Sequence, residues 1–322
     1  MMIKIGLIGA AWITPMAIIE PALLMDGVEV CAVAARDLNR ANEYAQRHNI
    51  PHVENCYEDL LARKDIDLIY IALPVSFHEE WATKALQSGK HVLCEKPLSM
   101  NAEQAKRLAK VSQNQNRYLI EAFHYRHHPH FNRILEIINS GELGKISKIT
   151  GHLSVPVPSR EGQIRHNKAL GGGALMDLGC YPIHMIRTIA GQEPRITKVE
   201  ADIGPTGVDL TINAQMVFPN GIKGVVRCAM PETGELEGGL IVEGSAGKLV
   251  AGKPILPHLG GTLTIDGDKD VRVEKTNMRT TFSYQLQAVL DAVRGASQPM
   301  PSLVDSIANA TAMDAIKRIG NL

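Results

Sequence analysis

The sequence predicts an α/β fold. A doubly wound parallel sheet forms the first part, and an α+β part with a large, mostly antiparallel sheet follows. Three observations carry this. In the first third of the chain, short apolar runs of strand length alternate with amphipathic stretches of helix length. From 195 to 275, strand-like segments follow one another with turn residues between them. The run HVLCEKPLSM, residues 91–100, passes from Val92, Leu93 and Cys94 to a charged pair and Pro97, as a strand buried on both faces does when it reaches its end.

The elements follow in order. Residues 3–8 (IKIGLI) form a strand, and Thr14–Pro15 starts a helix, Thr as cap and Pro in the first helical position. Val28–Ala34 is a strand, Leu38–Arg47 a helix, Leu68–Leu73 a strand and Glu79–Gln87 a helix ending near Gly89. The 91–100 stretch supplies the next strand, then Ala102–Ser112 is helical and Tyr118–Ala122 extended. Beyond residue 123 the order changes: a helix at Phe131–Asn139, a strand near Ile146–Val155, a polar loop, and a glycine-started helix from 172 to 190. Seven strands follow, ITKVEADI, LTINAQMVF, GIKGVVRCAM, LEGGLIVEG, GKLVAG, TLTIDG and VRVEK. Turns at Pro219-Asn220-Gly221, Gly244-Ser245-Ala246-Gly247 and Asp266-Gly267-Asp268 make hairpins, and helices at 282–294 and 302–319 close the chain. Two domains are expected, 1–123 and 124–322, with the last helix able to pack back on the first.

Composition narrows the function. Hydrophobic residues make up 45% and charged residues 21%, enough for a sizeable core. The 34 basic and 34 acidic residues cancel, so no basic field points to nucleic acid. Five single cysteines, without metal-ligand spacing, fit a reducing, cytoplasmic setting. The apolar N-terminus is too short and too glycine-rich for a membrane span and reads as a buried strand, so a soluble protein is expected.

The stretch from Gly6 to Thr14 lies where a dinucleotide loop belongs, between first strand and first helix. A full G-x-G-x-x-G would need glycine at 11 and 14, where Ala11 and Thr14 stand; Gly9 is kept. Pyrophosphate would rest on backbone N–H groups at the helix start. At the end of the second strand, Ala35 takes the position of the acid that would bind a ribose 2′-OH, and Arg36 offers a guanidinium suited to a 2′-phosphate. NADP is therefore favoured. NAD stays open if Asp37 turns back to the ribose and Arg36 pairs with Asp37 or solvent.

Ligands of open α/β sheets bind beyond the carboxyl ends of the strands. Leu73-Pro74, Glu95-Lys96-Pro97 and Glu121-Ala122 lie at such ends, which aims Lys96 at a bound molecule. In GGGALMDLGCYPIHMIRTIAG, residues 171–191, Asp177, Tyr181 and His184 fall at i, i+4 and i+7 on one helix face, with Leu175, Met176, Ile183 and Ile186 towards the core. His124 and His128 have i, i+4 spacing, yet no acidic or thiol ligand joins them, so they are read as lining a polar pocket and no metal is expected.

With these residues assembled, the chain resembles the glucose-fructose oxidoreductase / inositol dehydrogenase / MocA (Gfo/Idh/MocA) family over nearly its full length. GKHVLCEKPLSM (89–100) is similar to the family's G-K-H-V-x-x-E-K-P-x, EAFHYRHHPHF (121–131) to its E-A-x-x-x-R-x-x-P segment, and GGGALMDLGCYPIH is a third marker. The resemblance implies a Rossmann domain, an open-faced sheet domain forming homodimers or homotetramers, a nicotinamide cofactor, and a sugar, polyol or cyclic diol as substrate. It also implies a cis Lys96–Pro97 bond. Many members carry D-x-x-x-H on the catalytic helix, whereas Tyr181 stands at the His position here. That version is similar to the branch of dimeric dihydrodiol dehydrogenases, NADP-dependent xylose dehydrogenases and glucose-fructose oxidoreductase.

On this basis Lys96, Tyr181 and Asp177 are the expected catalytic residues, Tyr181 as acid/base beside Lys96. Gly9, Ala11, Trp12, Ile13 and Arg36 are expected to hold the cofactor from the first two strand ends, and Leu73, Pro74, His78, Glu95 and Lys96 from the next two. Arg126, Arg165 and His184 are expected to contact substrate. The expected activity is reversible hydride transfer at a carbinol or carbonyl carbon. A ketosugar or aldehyde reductase, or a non-catalytic nucleotide-binding sensor, are the alternatives.

Overall fold

The computed structural model describes residues 2–267 and 271–322. The chain divides into two compact units, each treated by itself. The first comprises Met1–Ser99, Glu103–His124 and Phe282–Ser306; the second comprises Met100–Ala102, Tyr125–Thr281 and Ile307–Leu322.

In the first unit, β1 (Ile3–Ile8), β2 (Val28–Ala34), β3 (His52–Glu54), β4 (Leu68–Ile71), β5 (His91–Cys94) and β6 (Leu119–Glu121) form one parallel sheet in the order β3-β2-β1-β4-β5-β6. All four residues of β4 are buried, because helices cover both faces of such a sheet. Ile8, Ile69, Ile71, Val92 and Cys94 pack with Trp81, Ala82, Ala85 and Leu86 of the helix His78–Gln87. The direction of progression reverses between β1 and β4, the place where such sheets bind ligands. Register sharpens the point: Ile8 pairs with Ile71, and Ile71 with Cys94. Gly9, Ala72 and Glu95 therefore leave the sheet at one level.

In the second unit, eight strands run in the order β14-β13-β12-β11-β7-β10-β9-β8, with β7 (Ile146–Ser154), β8 (Arg195–Ile203), β9 (Asp209–Val217), β10 (Lys223–Ala229), β11 (Glu237–Gly244), β12 (Gly247–Gly252), β13 (Thr262–Gly267) and β14 (Val271–Lys275). Every pairing is antiparallel except β7 with β10. On β9, Ile212, Ala214 and Met216 point to the core while Thr211 and Gln215 face outwards, the alternation of a sheet covered on one side. The helix Cys180–Ala190 lies on the covered side. It comes close because Gly151 of β7 has no side chain: a Cβ there would lie 2.9 Å from Pro182 Cβ.

Three local expectations are corrected. Thr14 makes no capping bond, since its backbone is already helical and the element opens as a π-turn at Pro15–Ile19 before continuing as Glu20–Leu23. The 172–190 helix likewise starts as a π-turn, Leu175–Gly179, and becomes α-helical at Cys180. The short strand β3 and the helix Tyr57–Ala62 were not anticipated; β3 has three half-polar residues at the sheet edge, too few to show a period. The turn Asp266-Gly267-Asp268 runs outside the described residues at Asp268. Among the described residues, no helix is long and apolar enough to cross a membrane.

Candidate active site

In the first unit the loop after β1 is shaped for an anion. Gly9 has φ 98°, and a Cβ there would lie 2.6 Å from the Ala72 carbonyl oxygen, so glycine is required for this approach. The neighbouring carbonyls are drawn away from the loop's open side: Arg40 donates to the Ala10 oxygen at 2.7 Å and the Tyr44 hydroxyl to the Ala11 oxygen at 3.1 Å. Gly9 N–H goes to Ala34 and Thr14 N–H to Ala11, while among the described residues no acceptor takes the N–H groups of Ala11, Trp12 and Ile13. Trp12 is 66% exposed beside them. A dinucleotide pyrophosphate fits this arrangement of donors at a helix start.

At the end of β2, Ala35 is buried and Arg36 exposed. Asp37 Oδ1 caps the helix Leu38–His48 through the N–H groups of Asn39 and Arg40, at 2.9 and 3.1 Å. The acid that would have favoured a ribose 2′-OH is engaged in local structure.

Across the β4 and β5 ends, the Tyr70 hydroxyl donates to Glu95 Oε1 at 2.6 Å, and Glu95 Oε2 accepts the Lys96 N–H at 3.3 Å. The Lys96–Pro97 peptide is cis. Leu98 N–H donates to the buried Glu121 Oε1 at 2.9 Å. Lys96 itself is half-buried, two residues past the strand end. His78, expected to touch the cofactor, is 1% exposed, and its ring nitrogens face the backbone carbonyls of Pro97 (3.0 Å) and Leu73 (2.9 Å). Burial pushes its pKa down.

In the second unit Asp177 and Arg165 are brought together, Arg165 Nε donating to Asp177 Oδ2 at 2.6 Å. Tyr181 is buried at the start of the α-helical part, its ring 6.1 Å from that of Tyr125. His184, expected to contact substrate, lies inside the unit. It is fully buried, with Nδ1 2.5 Å from the Tyr125 hydroxyl. Arg126 lies over Phe131 at 5.3 Å, and Phe131 meets Tyr125 edge-on at 4.9 Å. His124 and His128 serve packing and capping: the His124 ring lies 4.3 Å from that of Phe282, and His128 Nδ1 accepts the His130 N–H. No group of His, Cys, Asp and Glu among the described residues could hold a metal.

Asp209 carried no signal in the sequence. In the structure its Oδ2 accepts the Leu175 N–H at 2.6 Å, closing the N-terminus of the helix that carries Asp177 and Tyr181. Gly173, at φ 116°, gives it room, since a Cβ there would fall on Asp209 Oδ1. Burial pushes the Asp209 pKa up. Tyr70 and Tyr125 were missed as well, each a fully buried aromatic whose hydroxyl matters only through a partner distant in sequence.

Comparison with known proteins agrees with this geometry. Residues 3–123 match the model of an oxidoreductase family with an NAD-binding Rossmann fold, and residues 131–250 match the GFO/IDH/MocA C-terminal domain. A D-xylose 1-dehydrogenase (NADP(+)) of Haloferax volcanii is 31% identical over 97% of this chain and 95% of its own. A trans-1,2-dihydrobenzene-1,2-diol dehydrogenase of Xenopus laevis is 31% identical over 91% of this chain and 90% of its own. A 3-ketoreductase from Actinomadura kijaniata, solved in complex with NADP and TDP-benzene, superposes with a TM-score of 0.91 at 28% identity, covering 99% and 98% of the two chains. With both family models matched in order, the reversal point of the parallel sheet shaped for a dinucleotide and relatives aligned from end to end, the chain belongs to the Gfo/Idh/MocA family of oxidoreductases.

Proposed function

We propose that this oxidoreductase uses NADP(H) to interconvert a secondary alcohol and its carbonyl on a sugar or cyclic diol. The observation that carries the reading is Lys96, a cation two residues beyond the buried strand β5, directly after Glu95, which leaves the sheet level with Gly9 and Ala72. The nicotinamide, when bound, supplies or accepts the hydride. Everything else falls to the chain's own side chains.

Tyr181 exchanges the hydroxyl proton. A free tyrosine titrates near 10, too high for a base at neutral pH, and a lysine ammonium close to a phenol favours the phenolate. Lys96 supplies that charge and stabilises alkoxide character as it develops. Asp177 and its partner Arg165 bind substrate hydroxyls. Arg36 takes the 2′-phosphate, supported by the engagement of Asp37 in its helix cap. The substrate class rests on the dehydrogenase of xylose and the dehydrogenase of a dihydrodiol among the relatives; the 3-ketoreductase shows that members also run towards reduction.

A screen of NADP⁺ and NADPH turnover over aldoses, ketosugars and cyclic diols tests the reading. Turnover on at least one class is expected, with Lys96→Met and Tyr181→Phe each lower by orders of magnitude while NADPH still binds. NADPH binding without turnover on any substrate would overturn it, and near-wild-type turnover in Tyr181→Phe would remove Tyr181 from the chemistry.

A further inference from the structure

We propose that His78 is the positioning residue that fixes Lys96, donating to the Pro97 carbonyl at the exit of β5 from a ring held beside the exit of β4. The proposal rests on the reading of Lys96 given above. His78 opens the helix His78–Gln87, after β4 and the 3-10 turn Val75–Phe77, and its side chain is buried against backbone carbonyls. Nδ1 lies 3.0 Å from the oxygen of Pro97, the residue following Lys96. Nε2 lies 2.9 Å from the oxygen of Leu73. These two segments carry the expected cofactor contacts Leu73 and Pro74 and the expected catalytic Lys96.

The turn around Lys96 is gripped from three sides. Tyr70 holds Glu95 in front of it, Glu121 takes the Leu98 N–H behind it, and His78 faces the Pro97 carbonyl between them. The Tyr70 hydroxyl donates to the Glu95 carboxylate and the Glu121 carboxylate accepts from Leu98, so neither of these grips holds a backbone carbonyl of the turn, which is what His78 faces. A neutral imidazole donates at one nitrogen only, and burial together with the Lys96 ammonium opposes the doubly protonated ring. The proposal assigns the N–H to Nδ1, towards Pro97, because that link reaches the turn bearing Lys96. Misplacement of a catalytic group by about 1 Å can cost on the order of a hundredfold in rate, so a link on the residue next to Lys96 is worth fixing.

Amide side chains separate the two links. Asn places its amide nitrogen near the position of Nδ1, and Gln near that of Nε2. His78→Leu should lower kcat on the order of thirtyfold to a hundredfold. His78→Asn should recover most of that loss, whereas His78→Gln should keep NADPH affinity and leave kcat low. Each variant's thermal midpoint is measured beside its kinetics. Equal kcat in the Asn and Gln variants, whether both low or both normal, would overturn the assignment even if the Leu variant fails to fold. His78→Gln is then combined with Lys96→Met. A residue acting through Lys96 adds little further loss in that background, and a full multiplicative loss would sink the positioning role alone. A Lys96→Met enzyme at wild-type turnover would instead sink the acid/base reading, so the two failures are told apart.

Discussion

Pro15 and Leu175 each open a helix with a single π-turn, and each follows a glycine in the left-handed region, Gly9 and Gly173. Neither helix has a side-chain cap from its own N-terminal residue. They differ in what meets the exposed N–H groups. In the first unit, Arg40 and Tyr44 pull loop carbonyls aside and leave donors facing outwards, as an incoming anion requires. In the second, Asp209 of β9 already accepts from Leu175, so the anion is part of the chain. A glycine loop before a helix is therefore a backbone shape, and the carboxylate or the open donors decide its use. π-turns recur at functional sites; here one start offers open donors and the other leads the helix that carries Asp177 and Tyr181.

Removing the internal anion is the strongest way to break this contrast. Asp209→Ala leaves a buried N–H and the helix dipole unanswered, and should cost about 3 kcal/mol, the upper end for a buried group. A lowered urea midpoint and a reduced kcat are expected together, because the same helix carries Tyr181. Unchanged values in both would show that Asp209 is incidental. Asp209→Asn keeps an acceptor and should retain most of the stability, with a different pH response. Burial holds the Asp209 pKa above its ordinary carboxylate value, so the folded state binds this proton more tightly than the unfolded one. That contribution is present in full below the unfolded pKa and is lost as pH rises through the folded one. Asn, which does not ionise, should give a flatter stability profile across that window.

The contrast also explains what the sequence disclosed. Strands buried on both faces, such as LIYI and HVLC, print their apolar runs directly, and their register on the ligand edge follows from the fold class. Asp177 and Tyr181 were visible from spacing because four residues make about one turn in either helix type. Asp209 was not, since its role depends on β9 beginning opposite Leu175, a relation 34 residues apart in sequence. His78 and His184 read as ligand contacts because a histidine at a strand end or on a polar stripe carries no mark of burial. The structure shows each with a buried partner: two carbonyls for His78, the Tyr125 hydroxyl for His184.

The next test concerns which anion the open helix start receives. Arg36→Ala should raise the NADP Michaelis constant about tenfold more than that for NAD, a loss of about 1.4 kcal/mol. Equal effects on the two cofactors would take Arg36 out of the phosphate site and leave the donors of the glycine loop as the main anchor.

The smallest effect asked of the comparison is at Tyr44, whose hydroxyl donates to the Ala11 carbonyl from the helix Leu38–His48. Tyr44→Phe keeps the ring and its packing and deletes one hydrogen bond, worth about 1 kcal/mol. If drawing that carbonyl aside is what keeps the Ala11–Ile13 donors open, NADPH should bind about fivefold more weakly, measured by its fluorescence, with kcat unaltered at saturation. A carbonyl that stays in place without Tyr44 would leave affinity at the wild-type value, and the loop's shape would then rest on Gly9 and the Arg40 contact to Ala10. The opposite result, lower kcat with unchanged affinity, would mean that the loop governs where the dinucleotide sits along the sheet edge rather than how tightly it is held.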